Sequence, residues 1–343
     1  MRESERGVAT LGTSVPSVYH GGDLAGAAMR FPQAPRPWLD LSTGINPIPY
    51  PLPDLPSDVW TRLTPAADIT ELEAAAAAHF GAADAARVVA GPGTQALIQQ
   101  LPRLRPARRV GILGFTYQEH GHVWQAAGTE VTVVEEFEAL AAFDVAIIVN
   151  PNNPDGRLVH PEDLASLANR MADMGGLLVV DEAFVDVLAG AASFIPHLNA
   201  GAIVLRSFGK TWGLAGLRLG FAVAPPALAD RLRRDLGPWA ISGPAATIGT
   251  AAYADRAWLT ATIARLARDA ARLDRMLADA GFECLGGTPL YRLVAHADAA
   301  GWFERLGHAG ILTRPFPARR DWLRFGLPGA EADWARLAAA LGM

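Results

Sequence analysis

Ser207-Phe208-Gly209-Lys210-Thr211-Trp212-Gly213-Leu214-Ala215-Gly216-Leu217-Arg218-Leu219-Gly220 interleaves a hydroxyl, a lysine and an arginine with four glycines. It directly follows Ala202-Ile203-Val204-Leu205, an apolar run that reads as a buried strand. The pattern is a strand delivering a lysine into a site. A phosphate-cradling P-loop would need a glycine six positions before the lysine, and Val204 stands there. A solvated loop lysine, the commonest state of lysine, accounts for neither the glycines nor Arg218. A lysine whose pKa falls on burial, so that its amine condenses with a carbonyl cofactor, accounts for both. Ser207 and Arg218 would then bind a phosphate on that cofactor, Arg218 through its planar fork of donors.

The chain around this stretch has 343 residues, enough for one large α/β domain and a smaller one. Half of the residues are hydrophobic, but no apolar run reaches the roughly 18 residues that a membrane span needs. A soluble protein with no membrane partner is expected. The net charge of −5 comes from interspersed signs, with no basic stripe for nucleic acid. One cysteine, Cys284, excludes an internal disulfide and a cysteine metal site, which fits a reducing cytoplasm. Glu3 and Glu5 with no apolar segment give no secretory signal.

Residues 1–60 are rich in glycine and proline, and prolines at 32, 35, 37, 47, 49, 51, 53 and 56 forbid a continuous helix or a central strand. Trp38, Leu39, Leu41 and Ile45 still need a surface, so the segment is expected to be an extended arm packed over the active-site mouth or a neighbouring subunit. Thr70-Glu71-Leu72-Glu73 has capping-box spacing and Gly81 is a stop, giving a helix over 71–80. From residue 87, β-rich runs alternate with helical stretches: 87–90, 110–113, 130–134, 144–149, 177–181, 202–206 and 219–224. Seven strands with intervening helices predict an α/β, doubly wound, mostly parallel sheet, with ligands at the strands' carboxyl ends. After Pro238 come long helical stretches over 243–280. Strands near 282–285, 290–294, 310–313 and 321–325 and helices near 298–307 and 331–341 complete an α+β unit. The boundaries expected are an arm over 1–60, a large domain over 61–240 and a small domain over 241–343, part of the arm joining the small domain.

Several strand ends carry chemistry. Gly91-Pro92-Gly93-Thr94-Gln95 opens a helix after a strand, which makes either a turn or an anion site at a helix N-terminus. Tyr117 follows the next strand, and Asn150-Pro151-Asn152-Asn153-Pro154-Asp155-Gly156 is a turn after another. Val179-Val180-Asp181-Glu182-Ala183-Phe184 ends an apolar strand on a carboxylate, which needs a cationic partner because an unpaired buried charge is costly. Glu119, His120 and His122 suggest a metal cluster, but histidines two apart in a glycine-containing turn lack a third ligand nearby in sequence, and the segment reads as a surface loop. Arg108-Arg109 and Arg319-Arg320 read as solvated charges.

The lysine stretch resembles the lysine motif of fold-type I pyridoxal 5'-phosphate enzymes, the aspartate-aminotransferase-like class, and the strand-end pieces follow in that family's order. The resemblance implies that Lys210 carries pyridoxal phosphate and later returns a proton to the substrate. It also implies that Gly93, Thr94, Ser207 and Arg218 hold the phosphate and Tyr117 stacks on the ring. Asn153 would meet the phenolic oxygen and Asp181 the ring nitrogen, an ion pair that keeps the ring an electron sink. Trp322-Leu323-Arg324-Phe325-Gly326 resembles the C-terminal arginine motif, which puts Arg324 on an anionic group of the substrate, with Arg314, Asn46 and Gly44 as further contacts. A homodimer is implied, because active sites of this class are built between subunits.

Two departures weigh against a plain transaminase: Phe184 stands where a tyrosine is common, and Arg62-Leu63-Thr64 lacks a tyrosine seen in that region. His20-Gly21-Gly22-Asp23, Ser42-Thr43-Gly44-Ile45-Asn46-Pro47 and Asp181-Glu182-Ala183-Phe184 resemble the threonine-phosphate decarboxylase branch of cobalamin biosynthesis, acting on a small phosphorylated amino acid. Histidinol-phosphate aminotransferase is the alternative, and a non-catalytic effector-binding relative a third.

Overall fold

The computed structural model describes residues 20–190 and 193–343; residues 1–19, read above for a leader, lie outside that description. Seven strands form the central sheet: β1 (Val88–Gly91), β2 (Arg109–Leu113), β3 (Glu130–Val134), β4 (Val145–Val149), β5 (Leu177–Asp181), β6 (Ala202–Ser207) and β7 (Gly220–Val223). They lie in the order β1-β7-β6-β5-β4-β2-β3. All pairs are parallel except those of β7, which runs antiparallel to both β1 and β6. This is the doubly wound, mostly parallel sheet expected from the alternating runs.

The inner strands are apolar on consecutive positions because helices cover both faces. On one face, Val180, Val204 and Phe221 pack with Leu72, Phe80 and Tyr253. On the other, Val179, Leu205 and Ala222 pack with Leu97, Ile98 and Trp124. Each large side chain so buried contributes roughly 1.5–3 kcal/mol. The strands end at one edge of this double core, and their carboxyl ends define the site.

The C-terminal sheet holds β8 (Glu283–Thr288), β9 (Tyr291–Ala295), β10 (Arg314–Phe316) and β11 (Arg319–Gly326), in the order β10-β11-β9-β8 and antiparallel throughout. Its own core includes Leu273, Leu277, Phe303 and Trp334, together with Phe31, Leu39 and Leu41 of the arm. The long helical stretch is two helices, Gly243–Ala254 and Arg256–Asp279, broken at Asp255, whose side chain caps the second by accepting from Trp258 N (2.9 Å).

Two local expectations are corrected. The helix predicted over 71–80 starts at Ala66, a turn earlier, after Pro65; Thr70 lies inside it and donates to the Ala66 carbonyl. Glu73 is therefore no capping residue, and accepts instead from Ala90 N (2.9 Å) and from Arg233. The arm is not wholly extended either, since Leu24–Arg30 is helical behind an Asp23 cap that accepts from Gly26 N.

Further along, the arm ties to both cores. Leu39–Asp40 pairs in parallel with Ile311–Leu312, and Arg336 donates to the carbonyls of Pro35, Pro37, Ala309 and Gly310. Asn46 N then donates to the Lys210 carbonyl and Tyr50 N to that of Trp212. A Cβ on Gly156 (φ +76°) would stand 1.9 Å from the Gly287 carbonyl oxygen, so the turn after β4 meets the β8–β9 hairpin backbone to backbone. The site therefore lies between two layers held at contact.

Candidate active site

A cavity of about 270 Å³ opens at the carboxyl ends of the parallel strands, the place where doubly wound sheets bind ligands. At its floor, β6 runs into the short helix Phe208–Thr211, which carries Lys210 into the cavity. Lys210 Nζ stands 5.7 Å from the centre of the Phe184 ring. Phe184 is itself fixed edge-on to Tyr291 at 5.0 Å, and Tyr291 Oη donates to the Asn152 carbonyl at 2.8 Å. Burial pushes the Lys210 ammonium from its ordinary 10.5 down to about 8, with Arg324 adding to the fall and Asp181 opposing it. An amine in this state is a nucleophile near neutrality.

This displacement has a stability signature. An unfolded chain holds the Lys210 proton up to about 10.5 whereas the folded site releases it near 8, so between these values the unfolded state binds more protons. Cofactor-free protein is therefore expected to gain stability over that window relative to Lys210→Met, with a constant difference below pH 8. Urea unfolding of both proteins across pH measures it; a difference that never changes with pH would show that the site does not disfavour the ammonium.

One end of the cavity is built for an anion. Gly93 (φ +85°) caps the helix Thr94–Leu104, whose first N–H groups have no intrahelical acceptor. A Cβ on Gly93 would lie 2.5 Å from Arg218 Nη2, and one on Gly220 would lie 2.5 Å from Thr94 N. Both glycines thus leave room that a side chain would fill. Arg218 adopts left-handed backbone (φ +56°), a strained state for a residue with a side chain, and turns its guanidinium toward Gly93; Ser207 also lines the cavity. Thr94 Oγ1 donates to the Arg206 carbonyl (3.2 Å), so its backbone N–H is the group left for the anion.

Asp181 ends β5 at the cavity, 3% exposed. His120 Nε2 donates to its Oδ2 (2.8 Å) and Ala183 N to its Oδ1 (3.1 Å). The reading of His120 as surface loop is corrected: Glu119–Ala126 is a helix and His120 is fully buried in its first turn. Tyr117, outside that helix, meets the His120 ring edge-on with centroids 6.1 Å apart, a contact that sequence spacing does not announce. Tyr117 lines the cavity with its hydroxyl 3.3 Å from Gln95 Oε1, and burial pushes its phenol pKa up. His20, whose motif was noted without a role, also lines the cavity and pairs with Glu119 at 2.8 Å.

The opposite wall carries two guanidiniums. Arg314 and Arg324 are register partners across β10 and β11 and both line the cavity. Arg324, 3% exposed, donates from Nη1 to Asn153 Oδ1 (2.6 Å) and from Nη2 to the Ser42 carbonyl (2.7 Å). Burial, and then Arg314 beside it, oppose the charge on Arg324. Because Asn153 Oδ1 accepts, its amide N–H₂ is left to donate. Gly44 lines the same wall, where a Cβ would meet Tyr291 Cδ1 at 2.7 Å.

Asn46 is the exception among the residues expected at the site. It is 2% exposed and does not line the cavity: its side chain donates to the Thr211 carbonyl (2.8 Å) and accepts from Arg265 (2.6 Å). It braces the lysine helix from behind. Thr64, the hydroxyl left where a tyrosine is missing, is likewise spent inward on the Ile241 carbonyl (2.7 Å).

The family model described as aminotransferase class I and II matches residues 55–341. The chain belongs to that family. A threonine-phosphate decarboxylase of Pseudomonas aeruginosa is 43% identical over 94% of this chain and 96% of that protein. One of Sinorhizobium sp. is 45% identical over 94% of this chain and 97% of its own length. Among solved structures, histidinol-phosphate aminotransferase from Sinorhizobium meliloti, in complex with pyridoxal-5'-phosphate, superposes with a TM-score of 0.79 at 23% identity, covering 98% of this chain and 97% of that one. The fold is thus fold-type I, and the cofactor of the family is pyridoxal phosphate. The cavity fits that group: it offers an amine of depressed pKa, an anion cradle cleared by two glycines, and a buried carboxylate.

Proposed function

We propose that this chain is a pyridoxal-phosphate-dependent carboxy-lyase that converts L-threonine O-3-phosphate to (R)-1-aminopropan-2-yl phosphate, the linker precursor of cobalamin. The carrying observation is the pair of cavity guanidiniums in register, Arg314 and Arg324, which suits a substrate with two anionic ends. The two decarboxylase relatives, alike over nearly the whole chain, support the same reading.

What the cofactor supplies when bound is an electron sink for the pair left behind by the departing carboxylate. Lys210 would be its attachment point, and Lys210 Nζ, as the ammonium, would deliver the proton that replaces the lost carbon dioxide. Gly93 and Thr94 backbone N–H groups, Ser207 and Arg218 hold the cofactor phosphate. Asp181, oriented by His120 and Ala183 N, would serve the ring nitrogen, Tyr117 would cover the ring and the Asn153 amide would serve the phenolic oxygen. Arg324 and Arg314, with the Gly44 backbone, hold the substrate's anionic groups. Two fixed ends leave a flexible substrate few poses, and the pose selects which bond breaks.

Transamination of histidinol phosphate is the competing reaction, and product analysis separates the two. Incubation with threonine phosphate is expected to release carbon dioxide, and incubation with histidinol phosphate plus 2-oxoglutarate to yield no glutamate. The reverse pattern would overturn the decarboxylase and leave the cofactor site intact.

The residues proposed to hold the cofactor fall in a unit spanning 61–240, while Arg314 and Arg324 come from a C-terminal unit over 241–343 that the arm joins and Gly44 from the arm itself. A cytoplasmic homodimer is part of this reading, and exposed apolar side chains, Leu52 and Trp60 in the arm with Leu63 and Trp239, support the dimer as surface that a second copy would cover. Among the described residues no helix is long and apolar enough to cross a membrane. Sedimentation is expected to give a dimer, and a fully active monomer would refute it.

A further inference from the structure

Behind the cavity, on the other face of the sheet, lies a buried ionic cluster that the reaction above does not use. Arg206 forks onto two carboxylates, with Nη1 on Glu182 Oε2 (3.2 Å) and Nη2 on Asp186 Oδ1. Arg206 and Glu182 are 3% and 0% exposed. Glu182 also accepts from Ser193 Oγ (2.6 Å) and Phe194 N (2.6 Å), and Asp186 pairs with His79 Nε2 (3.0 Å). The Phe80 ring lies 4.4 Å under the guanidinium.

The order of residues gives the cluster its meaning. Successive strand side chains alternate between faces, so a residue on the back sits beside one that faces the cavity. Arg206 immediately precedes Ser207, and Glu182 immediately follows Asp181. Glu182 and Asp186 bracket Ala183 and Phe184, both of which line the cavity. One guanidinium thus pins, from behind, the end of β6 and both ends of the loop that carries Phe184.

Fold stability alone is a poor account of this arrangement. Two carboxylates and a guanidinium lose more hydration on burial than apolar groups of the same volume, and an apolar replacement often packs at least as stably. An ionic fork adds direction, because its donors meet two acceptors at set angles. We infer that Arg206 is a positioning residue that acts through Glu182 and Asp186 to fix Asp181, Phe184 and Ser207 relative to one another, and so sets the orientation of the cofactor and substrate. This rests on the cofactor reading given above.

The test uses holoenzyme and compares Arg206→Met and Glu182→Gln with Leu277→Ala, a C-terminal core substitution that does not line the cavity and provides a destabilised control. Visible circular dichroism of the bound cofactor, its Kd, and kcat and KM are read well below each unfolding midpoint. Both cluster variants are expected to change the visible band, weaken cofactor binding and lower kcat by roughly 10²-fold with a smaller change in KM, the scale of a small misplacement. Leu277→Ala is expected to retain the wild-type band and Kd. Cluster variants matching Leu277→Ala in band and Kd would overturn the inference, and Glu182→Gln decides alone if Arg206→Met does not fold. Wild-type protein that binds no pyridoxal phosphate would overturn the cofactor reading and this inference with it.

Discussion

Lys210→Ala is expected to lower kcat by at least about 10³–10⁴-fold, because one substitution removes both the attachment point and the proton donor. Among the described residues no second amine lines the cavity: Arg218, Arg314 and Arg324 are guanidiniums, which do not deprotonate near neutrality, and the His20 ring is paired with Glu119. The amine works because its walls depress it to about 8. After borohydride treatment and denaturation, wild-type protein should retain the cofactor covalently and Lys210→Ala should release it. Retention in the variant would place the attachment elsewhere.

Arg324→Lys is expected to lower kcat/KM by about 10²–10³-fold, the scale of losing a buried, hydrogen-bonded charge contact. Two of the five guanidinium N–H groups of Arg324 are engaged, on Asn153 Oδ1 and the Ser42 carbonyl, which leaves three for substrate. A lysine ammonium carries three donors at a point and cannot span the same acceptors while holding an anion. It would also free the Asn153 amide to rotate, so kcat should fall as well as KM rise. Steady-state kinetics with threonine phosphate reads this, and unchanged constants would remove Arg324 from the site.

The readings that succeeded from sequence rest on local physics. A run such as Val145–Val149 is apolar at every position because both of its faces are covered, and that is visible without knowing which helices do the covering. Glycine suits both 93 and 220 for local backbone reasons: Gly93 has φ +85°, and a Cβ on Gly220 would meet Thr94 N. Asp181 at a strand end, and Lys210 and Tyr117 just after strands, come together in the cavity because a doubly wound sheet gathers its carboxyl ends at one edge. The fold was therefore readable in the chain, and of the residues expected at the site all but Asn46 line one cavity.

What the tertiary structure alone decided is direction and partnership across long separations. Nothing near His120 in sequence announces Asp181, 61 residues on, so a buried orienting group read as loop. Arg314 and Arg324 became a pair only through the register of β10 against β11. Asn46 has the composition of a substrate contact, yet the arm's path turns it toward Thr211 and Arg265. Arg206 and Glu182 carried no signal beyond standing next to Ser207 and Asp181, because which face of a sheet an end residue takes depends on the strands beside it. Residue type and spacing therefore determined which chemistry this chain carries, while strand register and the arm's course decided which groups meet, because those contacts join segments that sequence proximity does not relate.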